Sequence, residues 1–184
     1  MADLNTLPEG LPVPIDDGAG GRLLGKRVPA LKLQATSGQS VDVSALPRTT
    51  VIYCYPLTGR PDLSLPHGWD EIPGARGCTP QSCAFRDHYQ ELRDLGVDVY
   101  GLSTQTMEYQ REVVERLRLP YALLSDAGMI LVRALELPTF EVGAMTLLKR
   151  LTWIIAGGVI VKVFYPVFPP DKNAGEVIAW LRHP

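Results

Sequence analysis

Between residues 49 and 124 the chain alternates short β-branched runs with helical periodicity, and this rhythm restricts the fold more than any other feature. Residues 49–55, Thr-Thr-Val-Ile-Tyr-Cys-Tyr, form a β-branched and aromatic run typical of a buried central strand. Phe85, Tyr89 and Leu92 then recur at helical spacing up to a Leu95-Gly96 stop, which predicts one helix of about four turns from Cys78 or Thr79. Residues 97–103 read as a strand, 106–117 as a helix and 121–124 as a strand. A βαβαβ succession implies parallel strands at the centre, because each helix carries the chain back to the same end of the sheet.

The flanks complete the sheet. Residues 28–34 and 40–43 alternate around Ser37-Gly38 and predict a hairpin; residues 147–155 and 159–164 predict another across Ala156-Gly157-Gly158. A closing helix is expected from about 172 to 181. The order β-α-β-α-β-β-α is that of a thioredoxin-like α/β fold, a central mixed β-sheet flanked by helices. Residues 56–77 interrupt it with four prolines and four glycines, a long loop inserted before the helix at Cys78; such loops in compact domains are more often functional than not. Residues 1–25, with Pro8, Pro12, Pro14 and the Gly18-Ala19-Gly20-Gly21 cluster, read as an irregular N-terminal arm, leaving 26–184 as the domain.

A length of 184 residues suits one domain, and the 18 basic and 20 acidic side chains are mixed along it, so nucleic acid and membrane surfaces are not expected partners. No apolar run reaches the ~18 residues that span a bilayer, and the first residues do not read as a signal peptide, so a cytoplasmic location is expected. Three cysteines, an odd count, argue against a secreted disulfide scaffold. Cys54 lies within the apolar run and reads as core filler.

Cys78 and Cys83 carry the chemistry. Seven residues make almost two helical turns, so Cys78 shares the inward stripe of Phe85 and Leu92. At a helix start its sulfur lies beside unpaired N–H groups, where the dipole favours an anion and lowers a thiol pKa. The resulting thiolate is a nucleophile for soft electrophiles, peroxide oxygen among them. Cys83 is rotated by about 140° and rises about 7.5 Å further, which puts the two Cα atoms about 8 to 9 Å apart in an intact helix. A disulfide tolerates about 7 Å, so any bond between them requires the first turn to unwind.

Gly77-Cys78-Thr79, a second cysteine five positions on, and Phe85-Arg86-Asp87 resemble the peroxiredoxin Q or bacterioferritin-comigratory-protein type of peroxiredoxin, from about Val28 to Leu181. The resemblance implies a thiol-dependent peroxidase reducing hydrogen peroxide or organic hydroperoxides. In it Cys78 becomes a sulfenic acid, Cys83 condenses with it to an intramolecular disulfide, and a thioredoxin-like protein reduces that disulfide, with no cofactor or metal. Members of this type are often monomers. Residues 149–155, Lys-Arg-Leu-Thr-Trp-Ile-Ile, are similar to the family's late strand, so Arg150 corresponds to the arginine that contacts the peroxidatic sulfur; Arg133 and Arg76 are weaker candidates.

The chain departs from the family at three positions. Glu71 and Ala75 stand where a proline and a Thr or Ser are usual, seven and three residues before the nucleophile, and Gln81 replaces a glutamate three residues after it. Thr58 is the candidate for the missing hydroxyl, folding back across an insertion within residues 59–74; Ser64 or Thr79 are alternatives. His67, His88 and His183 read as solvated, and the absence of Cys-x-x-Cys and paired histidines gives zinc little support. Two other classes compete: a thioredoxin-fold copper-delivery protein, whose thiols are normally separated by three residues, and a protein thiol–disulfide oxidoreductase, which prefers Cys-x-x-Cys.

Overall fold

The computed structural model describes residues 4–184. Nine strands and six helices follow one another as α1 (Ala19–Leu23), β1 (Lys32–Ala35), β2 (Ser40–Asp42), β3 (Thr50–Cys54), α2 (Cys78–Asp87), α3 (Tyr89–Asp94), β4 (Asp98–Ser103), α4 (Met107–Leu117), β5 (Leu123–Ser125), α5 (Ile130–Leu135), β6 (Thr139–Val142), β7 (Met145–Leu148), β8 (Leu151–Ala156), β9 (Val159–Phe164) and α6 (Asn173–Arg182). Seven strands form one mixed sheet in the order β2-β1-β5-β4-β3-β8-β9. Its centre is parallel, with Thr50 opposite Asp98 and Gly101 opposite Leu123; the outer pairings are antiparallel. This is the α/β architecture that the sequence rhythm predicts.

All five residues of β3 are buried, as befits a central strand covered on both faces. Alternation along it separates two cores. Ile52 and Cys54 join Leu102, Leu124 and Trp153 on one face; Val51, Tyr53 and Tyr55 join Phe85, Leu92, Val113 and Val177 on the other. Cys78 belongs to the second core, in the same apolar cluster as Phe85 and Leu92, the stripe expected from its spacing.

Four expectations need correction. The helix after Cys78 is not continuous: His88, at φ −95° and ψ 6°, breaks it into α2 and α3. Residues 147–155 are not one strand, since β7 ends at Leu148 in a separate two-stranded sheet with β6, and β8 begins at Leu151. The intervening Lys149-Arg150 carries the chain from one sheet to the other and leaves Arg150 buried. The helix α5 and the β6–β7 hairpin are additional elements. The arm is not irregular through residue 25 either, because Ala19–Leu23 is helical and buries Ala19 and Leu23. Gly20 permits close packing: a Cβ there would lie 3.0 Å from Cβ of Tyr165.

Candidate active site

Cys78 is the first residue of α2, which follows directly on the inserted loop. Gly77 before it has φ 103°, a left-handed conformation that glycine adopts without cost. A side chain there would also collide: a Cβ would come within 2.4 Å of Pro170 and 2.7 Å of Leu7. The thiol is 3% exposed.

Arg150 reaches it from the break between β7 and β8. Its Nη2 donates to Cys78 Sγ at 3.2 Å and to the carbonyls of Ala75 and Arg76 at 3.1 and 3.2 Å, while Nη1 donates to Gln81 Oε1. The guanidinium is 3% exposed and, among the described residues, has no carboxylate within ion-pair distance. Its acceptors are thus neutral oxygens and one sulfur. That sulfur is the one ionisable group among its hydrogen-bond partners. The other hydrogen bond at Sγ, 3.7 Å to Ala75 O, is one the protonated thiol donates.

The profile of the Redoxin family matches residues 23–178. Chloroplastic peroxiredoxin Q of Sedum lineare is 31% identical over 160 residues, covering 86% of this chain and 77% of the relative. The chain belongs to the peroxiredoxin Q family. Chloroplastic peroxiredoxin Q of Oryza sativa subsp. japonica is also 31% identical over 86% of this chain, which spans 66% of that relative's length. Peroxidoxin BcpB from Mycobacterium tuberculosis superposes with a TM-score of 0.70 at 25% identity, covering 86% of this chain and 96% of its own.

In this peroxiredoxin the position three residues before Cys78, Ala75, is buried and offers only its carbonyl. Thr58, the candidate for the missing hydroxyl, is buried. Thr58 directs both its N–H and its hydroxyl to Gln105 Oε1 at 3.1 Å, and its carbonyl accepts from Tyr109, so the hydroxyl proton is already engaged. Ser64 is exposed, whereas Thr79 is buried and lines the same small cavity as Cys78. Of the weaker arginine candidates, Arg133 is exposed in α5, and Arg76 lines the Cys78 cavity while ion-pairing with Asp70 at 3.2 Å.

Gln81 does more than replace a charge. It accepts from Arg150 and donates through Nε2 to Asn173 Oδ1 at 3.0 Å; Thr152 donates to the same oxygen at 2.6 Å. A buried chain of neutral groups thereby ties the arginine to the start of α6. Asn173 carried no sequence signal, since it lies 92 residues from Gln81.

Cys83 is half-buried on α2, and all three cysteines are free thiols. Burial pushes its thiol above the ordinary range, only partly offset by Arg86. The residue before it is clamped from the sheet side: Tyr121 donates to the Ser82 carbonyl at 2.8 Å, Tyr53 donates to Ser82 Oγ at 3.1 Å, and the two phenols meet at 3.0 Å. Tyr53 also stacks on Phe85 with ring centroids 4.5 Å apart. Cys54 lies in the opposite core, fully buried, with its thiol raised by desolvation.

Proposed function

We propose that the protein is a thiol-dependent peroxidase acting through Cys78, and the contact between Arg150 Nη2 and Cys78 Sγ carries this reading. The thiolate attacks the nearer oxygen of a hydroperoxide and the O–O bond breaks. The sulfur gives up two electrons and becomes a sulfenic acid, while the departing alkoxide or hydroxide takes a proton. Arg150 stabilises the thiolate beforehand and the charge on the leaving oxygen as the bond lengthens.

Cys83 is the resolving residue in this reading. Its thiolate attacks Cys78 sulfur, the S–S bond forms and the sulfenic oxygen leaves as water once protonated. Both thiols lie on the unbroken helix α2, about 8 to 9 Å apart at Cα by ideal helix geometry, so part of the helix must unwind first. A thioredoxin-like dithiol then returns the pair to the reduced state. A reducing compartment such as the cytoplasm suits this cycle, and a monomer contains every group it uses. The family placement does not favour the copper-delivery and protein-oxidoreductase alternatives.

The test is peroxide turnover with a thioredoxin system for wild type, Cys78→Ser and Cys83→Ser. The first substitution abolishes turnover. The second still consumes one equivalent of peroxide and accumulates a sulfenic acid that traps with dimedone. Equal activity in all three proteins rejects the assignment.

A further inference from the structure

The N-terminal arm runs along the active-site loop. Leu7 sits against Gly77 and Pro14 against Gly74, and Asp17 is ion-paired at 2.8 Å with Lys149, the neighbour of Arg150. Leu4 is seated on Gly59 so closely that a Cβ there would fall 2.5 Å from its methyl carbon. Leu4 also lines two separate cavities. One surrounds Cys78, with Leu57, Trp69 and Thr79 among its walls, and encloses only about 10 Å³. The other is an open groove of about 730 Å³ lined by Arg60, Leu63, Arg116 and Leu117. Leu4 and Leu65 are common to both linings.

A free volume of this size holds about one water molecule. A hydroperoxide must bring its oxygen to roughly 3–3.5 Å from the sulfur to react, so one that carries an organic substituent needs a lining side chain moved. Truncating Leu4 would join the small cavity to a groove whose lining includes Leu63, Leu65 and Leu117, space suited to an apolar substituent. Leu4 is only half-buried and its neighbours Asn5 and Thr6 are exposed, so the side chain can leave without disturbing either core.

We propose that Leu4 is a specificity gate: in place it confines Cys78 to the smallest hydroperoxides, and when displaced it admits organic hydroperoxides with a bulky apolar group. This rests on the peroxidase reading above. The decisive comparison is the second-order rate constant for oxidation of Cys78 by hydrogen peroxide and by cumene hydroperoxide. Both are followed by stopped-flow tryptophan fluorescence, with Trp69 in the cavity wall as reporter, in wild type, Leu4→Ala and Leu4→Met. Leu4→Ala raises the cumene hydroperoxide constant at least tenfold and the hydrogen peroxide constant less than threefold, and Leu4→Met, similar in volume to leucine, restores discrimination. A ratio of the two constants within twofold of wild type in Leu4→Ala overturns the gate.

Alkylation reads access without any peroxide. In the Cys83→Ser background, Leu4→Ala accelerates labelling of Cys78 by N-phenylmaleimide at least tenfold more than labelling by iodoacetamide; equal acceleration, or none, overturns the gate. Failure of both peroxides to oxidise any of the proteins, with size-selective alkylation intact, strikes the peroxidase reading and leaves the gate standing.

Discussion

Removal of the Tyr121 hydroxyl accelerates disulfide formation. In Tyr121→Phe the Ser82 carbonyl loses a buried 2.8 Å hydrogen bond and Tyr53 loses its 3.0 Å hydrogen bond with the Tyr121 hydroxyl, while Tyr53 keeps its own bond to Ser82 Oγ. A bond of this kind contributes a net 0.5–1.5 kcal/mol, about 1 kcal/mol as a central value. If the unwinding that brings Cys83 to Cys78 includes Ser82, that bond exists only in the wound state, and the unwound population rises about fivefold, within a range of about 2- to 13-fold. The stacking of Phe85 on Tyr53 is untouched and limits how far the opening spreads. Sulfenic acid decay, monitored by stopped-flow fluorescence after one equivalent of peroxide, therefore speeds up about fivefold. The peroxide concentration giving half-maximal sulfinic acid, read by mass spectrometry, rises by the same factor, because resolution outcompetes a second oxidation. An unchanged or slower decay shows that Ser82 stays wound during resolution, and the clamp then has no part in it.

Arg150→Met removes a charge-assisted hydrogen bond of about 1.5–3 kcal/mol from the sulfur, so the rate constant for Cys78 oxidation falls about 10- to 150-fold. Arg150→Lys keeps the charge but not the planar fork shared by Ala75, Arg76 and Gln81, and recovers only part of that loss in the same assay. Cys54→Ala leaves peroxide kcat/KM within twofold and lowers the unfolding free energy measured in urea by about 1 kcal/mol, as expected for trimming one buried group from the core. Burial raises the Cys83 pKa, so at neutral pH the resolving group is largely the unreactive thiol. The resolving rate constant then climbs about tenfold per pH unit between pH 6 and 8 without levelling below pH about 8.5; a plateau near pH 7 contradicts this.

The central strands, the helix start at Cys78 and the inward stripe through Phe85 and Leu92 were legible because each depends on local periodicity. Arg150 was legible only through resemblance, and the reason for its position was hidden. Residues 147–155, read as one strand, change sheet at Lys149-Arg150, a charged pair inside an otherwise strand-like run. The break at His88 was silent, since Tyr89 and Leu92 keep helical spacing across it. The partner of the Thr58 hydroxyl, Gln105, lies 47 residues away and left no local mark. The arm, whose prolines and glycines read only as irregular chain, acquires meaning where Leu4 meets Gly59.

The seven-stranded sheet also partitions the sulfurs. Cys54 hangs from β3 into the layer that holds Trp153, whereas Cys78 and Cys83 occupy the layer behind it. An oxidant admitted at α2 cannot reach the third thiol without taking the sheet apart. In native buffer, modification of Cys54 thus reports opening of the layer that holds Trp153, while modification of the helical pair reports the loosening of α2; a single polypeptide carries separate gauges for its two faces.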